Sequence, residues 1–396
     1  MMLSDLPQTD IDIFSEDTMR DPAPVWAEIR ELGSVVFLSR WDTWIVTRYD
    51  EVREVLTDWQ TFTSAKGTVF SDEMSAMLGE TPLTTDPPLH DTLRGVLSEK
   101  LAPRALRKLN APIVDRADEL IAEAVAAGSF EGMESLCKRL PVDIVADLIG
   151  LPVEGREILL PGAEAFFTTF GPYDDRLLAL MPSIEEFVAY MGRVTSRDVL
   201  APGSWGTAIL DAVDAGVIGE EHAIPLMSAY LIAGMDTTVH SLGFYLTNLA
   251  ENPAAWAALK KDPTLIGSGF EETLRLGTPV QLSYRVTTRQ VELGGHTIPE
   301  GKRILLCNAA ANRDPRHYDD PDTFDIHRPR RAHISFAGGI HSCLGMHLAR
   351  VETKAMLTSL FDRLTDFQLI ADDDTKIVGM PFRSPKHLPV TFRPVA

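Results

Sequence analysis

Residues 336–345 combine the residue types that can hold a reactive sulfur. They read Phe-Ala-Gly-Gly-Ile-His-Ser-Cys-Leu-Gly, and Cys343 stands just before residues 344–360, whose pattern predicts a helix. Glycine lets a chain bend sharply where a Cβ would clash. A thiolate at a helix start is favoured by the helix dipole and by free backbone N–H groups. This loop can therefore present an anionic sulfur as the axial ligand of a haem iron.

Cys343 can be read as a structural thiol or as an iron ligand. Taken alone, Cys343 is more simply read as a buried structural thiol, because free cysteine is among the most buried residue types. Its flanking phenylalanine, histidine and glycines favour the ligand. The chain has only three cysteines and no C-x-x-C-H sequence, so neither a disulfide framework nor covalent haem attachment is indicated.

A second motif lies in residues 221–251, a mostly apolar run that predicts a helix buried all round. The run contains Ala233-Gly234-Met235-Asp236-Thr237. Glycine costs a helix interior about 1 kcal/mol relative to alanine, and a buried aspartate needs a partner. The Thr237 hydroxyl can bond the carbonyl of Ala233 and loosen the helix. The result is either a groove lined by an acid and an alcohol, as dioxygen chemistry requires, or a simple kink.

A third motif is the pair Glu272 and Arg275, which lie three residues apart and so share one face of a predicted helix. On a surface such a pair would contribute at most about 1 kcal/mol and would carry no functional meaning.

Together the three motifs resemble those of the cytochrome P450 family of haem-thiolate monooxygenases. The family patterns are Ala-Gly-x-Asp/Glu-Thr, Glu-x-x-Arg and Phe-x-x-Gly-x-His-x-Cys-x-Gly, and they follow one another in that order along this chain. The resemblance extends over about residues 19–389 and is closest in residues 270–350. It implies a mainly α fold with small β-sheets, a triangular helical prism with haem b between the oxygen-activating helix and the helix of the cysteine loop. The family often has glycine at the position of Ala337, where we expect the extra methyl to be tolerated.

The resemblance also implies a role for each matching residue. Cys343 would bind the iron, Thr237 would position dioxygen, and Asp236 would feed a proton relay. The pair of Glu272 and Arg275 would contact an arginine of the irregular segment that precedes the cysteine loop, and the three residues would fix the fold behind the haem. The remaining positions are that arginine, Arg328, and the expected haem contacts His90, Arg94, Arg285, His333, Phe336, His341 and Gly345.

Parts of the sequence are similar to bacterial members of the family that oxidise para-substituted benzoates, for example by O-demethylation. The similar segments are residues 62–67 and 278–289, and Lys66 could hold a substrate carboxylate. An Arg-Ser pair of that subgroup is replaced here by Ser228 and Ala229, so neutral phenolic, terpenoid or secondary-metabolite substrates stay open. Further expected substrate contacts are Phe167, which could equally be a core residue, Ala233, Val280 and Leu282.

Electrons for such an enzyme must come from separate proteins. The chain has no Gly-x-Gly-x-x-Gly fingerprint, no P-loop and no cysteine cluster for iron–sulfur. We expect a ferredoxin and an NAD(P)H-dependent ferredoxin reductase as partners, the acidic ferredoxin docking by electrostatic attraction. The basic residues that could receive it are Lys100, Arg104, Arg107, Lys108, Arg328, Arg330, Arg331 and Arg350.

Length and charge set the outer bounds. Because the motifs for one haem are spread from about residue 90 to residue 343, we expect a single domain over residues 1–396. The formal net charge of −20 disfavours nucleic-acid binding. The N-terminal residues show neither a basic region followed by an apolar run nor an apolar anchor, so a cytoplasmic protein without membrane attachment is expected.

The elements that must position these residues can be read from the pattern. Residues 34–38 and 43–48 predict a β-hairpin, residues 91–250 are mainly helical, and residues 263–276 predict another helix. Strands are expected at residues 284–288 and 303–308, and an irregular segment with three prolines at residues 312–329. A non-catalytic thiolate-haem sensor or electron carrier is the alternative class, and a peroxide-driven peroxygenase a lesser one; the acid and alcohol of the second motif favour the monooxygenase.

Overall fold

The computed structural model describes residues 7–128, 130–370 and 377–395. Helices make up most of these residues, as expected. The first eight are α1 (Glu16–Arg20), α2 (Pro22–Leu32), α3 (Tyr49–Thr57), α4 (Asp72–Met77), α5 (Leu89–Leu101), α6 (Pro103–Leu106), α7 (Asn110–Ala126) and α8 (Arg139–Ile149). The others are α9 (Leu159–Thr168), α10 (Asp175–Val194), α11 (Trp205–Asp214), α12 (Ala223–Glu251), α13 (Pro253–Lys261), α14 (Ile266–Gly277), α15 (Asn308–Asn312) and α16 (Met346–Arg363).

The strands are short and form four small sheets. A six-stranded sheet has the order β1-β2-β3-β9-β6-β4, a three-stranded sheet has the order β10-β13-β5, and β11-β12 and β7-β8 are two-stranded. The strands are β1 (Gln8–Thr9), β2 (Val35–Leu38), β3 (Thr43–Val46), β4 (Phe62–Thr63), β5 (Phe130–Glu131), β6 (Leu282–Thr287), β7 (Val291–Leu293), β8 (His296–Ile298), β9 (Arg303–Cys307), β10 (Leu364–Leu369), β11 (Ile377–Val378), β12 (Ser384–Pro385) and β13 (Pro389–Pro394).

Helix α12 is the centre of the larger hydrophobic core. Its 29 residues carry few charges, and buried residues occur on every side over its second half. Helices α8, α9, α11 and α14 and the π-helical turn Met133–Cys137 all pack against it. A helix surrounded in this way must be apolar all round, which is why its pattern shows little amphipathic character. The predicted helix over residues 221–251 is confirmed.

The six-stranded sheet contains the predicted hairpin and the predicted strand pair. Strands β2 and β3 are antiparallel, and β9 continues the sheet in parallel to β3 and antiparallel to β6. The sequence prediction did not separate the hairpin of β7 and β8, which lies between β6 and β9. Its three-residue strands are too short for an alternating pattern to stand out.

The irregular segment is held from inside by the predicted ion pair. Residues 313–338 contain no helix or strand. Arg275 donates from Nε and Nη2 to the two carboxylate oxygens of Glu272, both at 2.8 Å, and Arg328 Nε donates to Glu272 Oε1 at 2.9 Å. The side chains of Arg275 and Glu272 are only 2% and 3% exposed, so this is no surface pair. Arg275 also bonds the carbonyls of Asn312, Pro321 and Thr323.

We expect Arg275→Lys to lower the free energy of unfolding by about 3 kcal/mol, because lysine keeps the charge but cannot form the coplanar pair of hydrogen bonds to a buried carboxylate. Urea unfolding followed by circular dichroism measures the change. Arg139→Lys is the matched control, since Arg139 forms an exposed ion pair with Glu123, and it should cost less than about 0.5 kcal/mol. Equal costs for the two variants would contradict the role assigned to the buried pair.

Candidate active site

The cysteine loop is shaped by one glycine and by backbone hydrogen bonds. Cys343 N donates to the carbonyl of Phe336 at 2.9 Å. Gly339 has φ +62°, and a Cβ there would lie 2.7 Å from the carbonyl oxygen of Leu56, so glycine is required as predicted. Gly345 differs: its φ is −82°, and a Cβ would stand 4.0 Å from the Cys343 sulfur. The protein's own atoms therefore do not exclude a side chain at Gly345, which corrects the expected clash.

The sulfur of Cys343 lies at the start of α16, as the sequence predicts. Burial raises the pKa of the Cys343 thiol in the protein alone. The backbone N–H groups of Gly345 and Met346 bond the sulfur and oppose this, as do the positive charges of Arg94 and Arg350. The loop thus provides hydrogen-bond donors and positive charges that favour a thiolate at this half-buried sulfur, against the effect of burial.

Ala337 departs from the expected tolerance of a methyl group at this position. Its side chain is exposed, but its φ is +56°, in the left-handed region that glycine adopts freely and alanine does not. The cost is therefore in the backbone and not in the space available. Ala337 lies in the loop that carries Cys343, in a tight turn closed by a hydrogen bond from its N–H to the carbonyl of Ile334 at 2.7 Å.

We expect Ala337→Gly to raise the free energy of unfolding by about 1 kcal/mol, because it relieves the left-handed strain and removes no buried contact. Thermal unfolding of the haem-loaded protein measures the gain. Ala102→Gly is the control, since Ala102 has φ −65°, and there the added chain freedom should destabilise the protein. A destabilised Ala337→Gly variant would contradict the strain.

On α12 the second motif has the geometry expected from the sequence. Thr237 Oγ1 donates to the carbonyl of Ala233 at 2.7 Å. Both residues retain exposed surface, whereas Asp236 between them is 1% exposed. Asp236 Oδ1 lies 3.2 Å from Nε2 of His240, one turn further along the helix. An accessible hydroxyl thus stands beside a buried carboxyl group.

Four of the predicted cationic and imidazole groups come together near the cysteine loop. The rings of His90 and His341 are 4.9 Å apart, and Arg94 Nη2 donates to the carbonyl of Ser342 at 2.6 Å. Burial lowers the pKa of Arg285 to about 10. Burial and then the charge of Arg285 lower the pKa of His341 to about 3, so that ring is neutral.

His333 lies apart from this group and is bonded to protein groups, and its contact with a haem propionate stays a prediction. Its Nε2 lies 3.0 Å from Oε2 of Glu271, and its Nδ1 accepts the N–H of Ser335 at 3.2 Å. Arg350 also donates to Glu271, at 2.7 Å, and stacks over the ring of Phe336 at 4.9 Å. With both ring nitrogens engaged, His333 links α14 to the cysteine loop and α16.

The predicted substrate contacts divide into exposed and enclosed residues. Lys66 is exposed and lines a cavity of about 540 Å³. Phe167 stacks on Phe382 with ring centroids 3.9 Å apart, and Val280 pairs with Phe382 by a β-bridge. Leu282 has no exposed surface, so its side chain contacts protein only and the prediction of a substrate contact there is not retained.

Two residues at the site were missed by the sequence prediction. Asp86 accepts the backbone N–H of Ser64 at 3.2 Å and lies in electrostatic range of Arg285. Ser64 in turn bonds His341 Nε2 at 3.1 Å. No local pattern marks such a long-range contact. The other residue is His240, whose spacing of four from Asp236 is a recognisable helix signal.

Comparison with known proteins identifies the family. A sequence model described as Cytochrome P450 matches residues 264–381. Cytochrome P450 CYP199A2 of Rhodopseudomonas palustris is 37% identical over 98% of this chain and 95% of that protein, and cytochrome P450 monooxygenase PikC of Streptomyces venezuelae is 30% identical over 98% and 95%. A solved structure of cytochrome P450 CREJ in complex with (4-ethylphenyl) dihydrogen phosphate has a TM-score of 0.87 at 25% identity, covering 95% of this chain and 98% of that one. The chain therefore belongs to the cytochrome P450 family, and the expected fold is confirmed.

The cofactor of this family is haem b, and the residues of this chain fit it. Nε2 of His90 is buried and has no hydrogen-bond partner among the described residues. The guanidinium of Arg285 is buried, and its one described hydrogen bond is to the carbonyl of Tyr284 at 2.6 Å. Buried donors of this kind require an anion, and haem carries two propionates. None of the helices in the described part of the chain combines the length and the apolar character that a membrane span requires.

Proposed function

We propose that this bacterial cytochrome P450 inserts one atom of dioxygen into a small aromatic acid or phenolic ether, by hydroxylation or O-demethylation. The observation that carries the monooxygenase chemistry is the pairing of the accessible Thr237 hydroxyl with the buried Asp236 carboxyl on α12. A sensor or an electron carrier has no use for a proton relay at this place. Bound haem would supply the iron at which dioxygen is reduced and its O–O bond cleaved.

The chain's own residues would divide the work as follows. Cys343 would bind the iron through its sulfur, held by the N–H groups at the start of α16. His90, Arg94 and Arg285 would neutralise the propionates and so anchor the cofactor. Asp236 would carry protons inward from solvent, and the Thr237 hydroxyl would hand them on.

The assigned relay predicts that Thr237→Ala consumes NADH but releases peroxide, with product per NADH falling roughly tenfold, because general-acid assistance is lost. Coupled oxygen, peroxide and product assays measure the split. Thr247→Ala is the matched control: on the same helix its hydroxyl makes the same bond, to the carbonyl of Gly243 at 2.9 Å. Unchanged coupling in Thr237→Ala would exclude the role, and an unstable control would show that the effect is structural.

The substrate class is supported by chemistry at two places. Phe167 and Phe382 form a stacked pair that can border an aromatic ring, and Lys66 offers an exposed ammonium group next to the cavity of about 540 Å³. The similar CREJ structure is described as a complex with a para-substituted phenyl phosphate, an anion of related shape. The cavity lined by Lys66 does not include the two phenylalanines, so the proposal requires the lysine and the stacked pair to contact opposite ends of one substrate.

Binding of 4-methoxybenzoic acid should displace water from the iron and give a spin-state difference spectrum, whereas neutral 4-methoxytoluene should bind at least about tenfold more weakly, because a charge-assisted bond is absent. Lys66→Met should remove this preference. Lys386→Met, at an exposed lysine of the C-terminal segment, is the control. Preference for the neutral ether, or for a terpenoid, in the native protein would contradict the aromatic acid.

We also propose that electrons arrive from a ferredoxin, itself reduced by an NAD(P)H-dependent reductase, at a basic surface formed by Arg104, Arg107 and Lys108. All three are exposed, and α6, which contains Arg104, contacts α16, the helix that follows Cys343. Arg328 and Arg350, which were included in the predicted surface, are engaged with Glu272 and Glu271. We therefore leave Arg328 and Arg350 out of the proposed docking surface.

The double variant Arg104→Glu/Arg107→Glu should slow reduction by ferredoxin at least about tenfold at low salt, since it replaces attraction by repulsion and electrostatics sets the association rate. Stopped-flow reduction measures the rate, and substrate difference spectra should be unchanged. Arg193→Glu, at an exposed position on α10, is the control. Equal rates for all three proteins would rule the surface out.

A further inference from the structure

His240 is the one imidazole group placed against the carboxyl group of the second motif. Its Nε2 lies 3.2 Å from Asp236 Oδ1, and the two side chains are 10% and 1% exposed. Among the described residues Asp236 Oδ1 and His240 Nδ1 are buried without a hydrogen-bond partner, so the contact between Asp236 Oδ1 and His240 Nε2 is one of distance and charge and not an aligned hydrogen bond. A carboxylate this deeply buried is costly unless a charged or hydrogen-bonding partner offsets the loss of water. His240 is positioned to be that partner.

The charged groups around this pair lead outward from the core. Glu164, on α9 where it packs against α12, is exposed and lies in electrostatic range of both Asp236 and His240. Although much of the Glu164 surface is exposed, the protein packed around its carboxyl group removes part of its hydration. This and then the charge of Asp236 raise the pKa of Glu164, while Lys138 and His240 oppose the rise. Lys138 itself pairs with Glu134 at 2.5 Å. Ionisable groups are thus in electrostatic range of one another from the buried Asp236 to the solvent-exposed Glu164.

We propose that His240 is the proton donor that recharges Asp236 from solvent, a positioning residue that acts through Asp236 and rests on the relay proposed above. In the step, the imidazolium Nε2–H bond breaks and its proton forms a bond to Asp236 Oδ1. The carboxyl group becomes neutral and the imidazole is left with its Nδ1 proton. Asp236 then passes this proton to Thr237 Oγ1, whose own hydroxyl proton leaves toward the dioxygen substrate, so that Asp236 is a carboxylate again. A hydronium ion from solvent protonates His240 Nε2 and leaves as water, which restores the imidazolium.

A purely structural role for His240 would require only a hydrogen bond to Asp236. Glutamine can supply that bond through its amide N–H but has no titrating nitrogen. His240→Gln therefore separates a purely structural contact with Asp236 from proton delivery to it. His296→Gln, in the hairpin of β7 and β8, removes an imidazole elsewhere and serves as the control.

The first experiment measures turnover of the haem-loaded protein in H2O and D2O. His240→Gln should turn over roughly ten- to a hundredfold more slowly, with a larger solvent isotope effect, because proton delivery becomes rate-limiting. Its peroxide yield should stay at the native level, unlike that of Thr237→Ala. A His240→Gln variant with native turnover and native isotope effect would overturn the proposal, as would peroxide release equal to that of Thr237→Ala.

The second experiment needs neither substrate nor turnover. With ¹⁵N-histidine in the diamagnetic ferrous carbon-monoxide form, the Nε2 resonance of His240 should be that of a protonated nitrogen and should shift in Asp236→Asn. An unprotonated Nε2, or a resonance that does not respond to Asp236→Asn, would overturn the proposal even if His240→Gln fails to fold. The same sample reports on the iron: a carbon-monoxide spectrum without the thiolate band would refute the assignment of Cys343 and leave the imidazole result standing.

Discussion

The buried contact between Arg275 and Glu272 is the interaction on which the rest of this structure depends. The residues that lead to the cysteine loop, 313–338, form neither helix nor strand, so they lack the repeating hydrogen bonds that normally fix a backbone. Arg275 replaces them by bonding three carbonyls of this segment and its approach, while Glu272 holds Arg328 and the N–H of Asp325. The buried ion pair of Arg275 and Glu272 thereby fixes the path of the segment that leads to Cys343.

The second constraint is that the reactive groups lie on long, rigid elements. Asp236, Thr237 and His240 occupy one region of a 29-residue helix, and Cys343 precedes an 18-residue one. Contacts between α14 and α16, and between α12 and both, tie these helices together, with Glu271 bridging His333 and Arg350 behind the loop. Groups on such elements keep their geometry because moving one would disturb a packed core.

The sequence allowed more of the site to be predicted than of its supporting contacts. Cys343, Thr237 and the Glu272–Arg275 pair stand in short motifs whose chemistry is local, and the bond from Thr237 to Ala233 follows from helix geometry alone. The contact of His333 with Glu271 could not be predicted because the two residues are 62 positions apart in the chain. The enclosure of Leu282 could not be predicted because a β pattern does not say which face is enclosed. The strain at Ala337 was missed for a related reason: space around a side chain can be guessed from its size, but a positive φ depends on the whole turn. The left-handed angle is found only in three dimensions.

The environment of Arg285 has a consequence for how the protein matures. The Arg285 guanidinium is buried and has no carboxylate bonded to it among the described residues, and this burial destabilises the folded chain. The haem propionates would offset that cost. Any ligand that binds only the native state adds its binding free energy to stability. Haem binding is therefore expected to stabilise the folded chain as well as to equip it for catalysis.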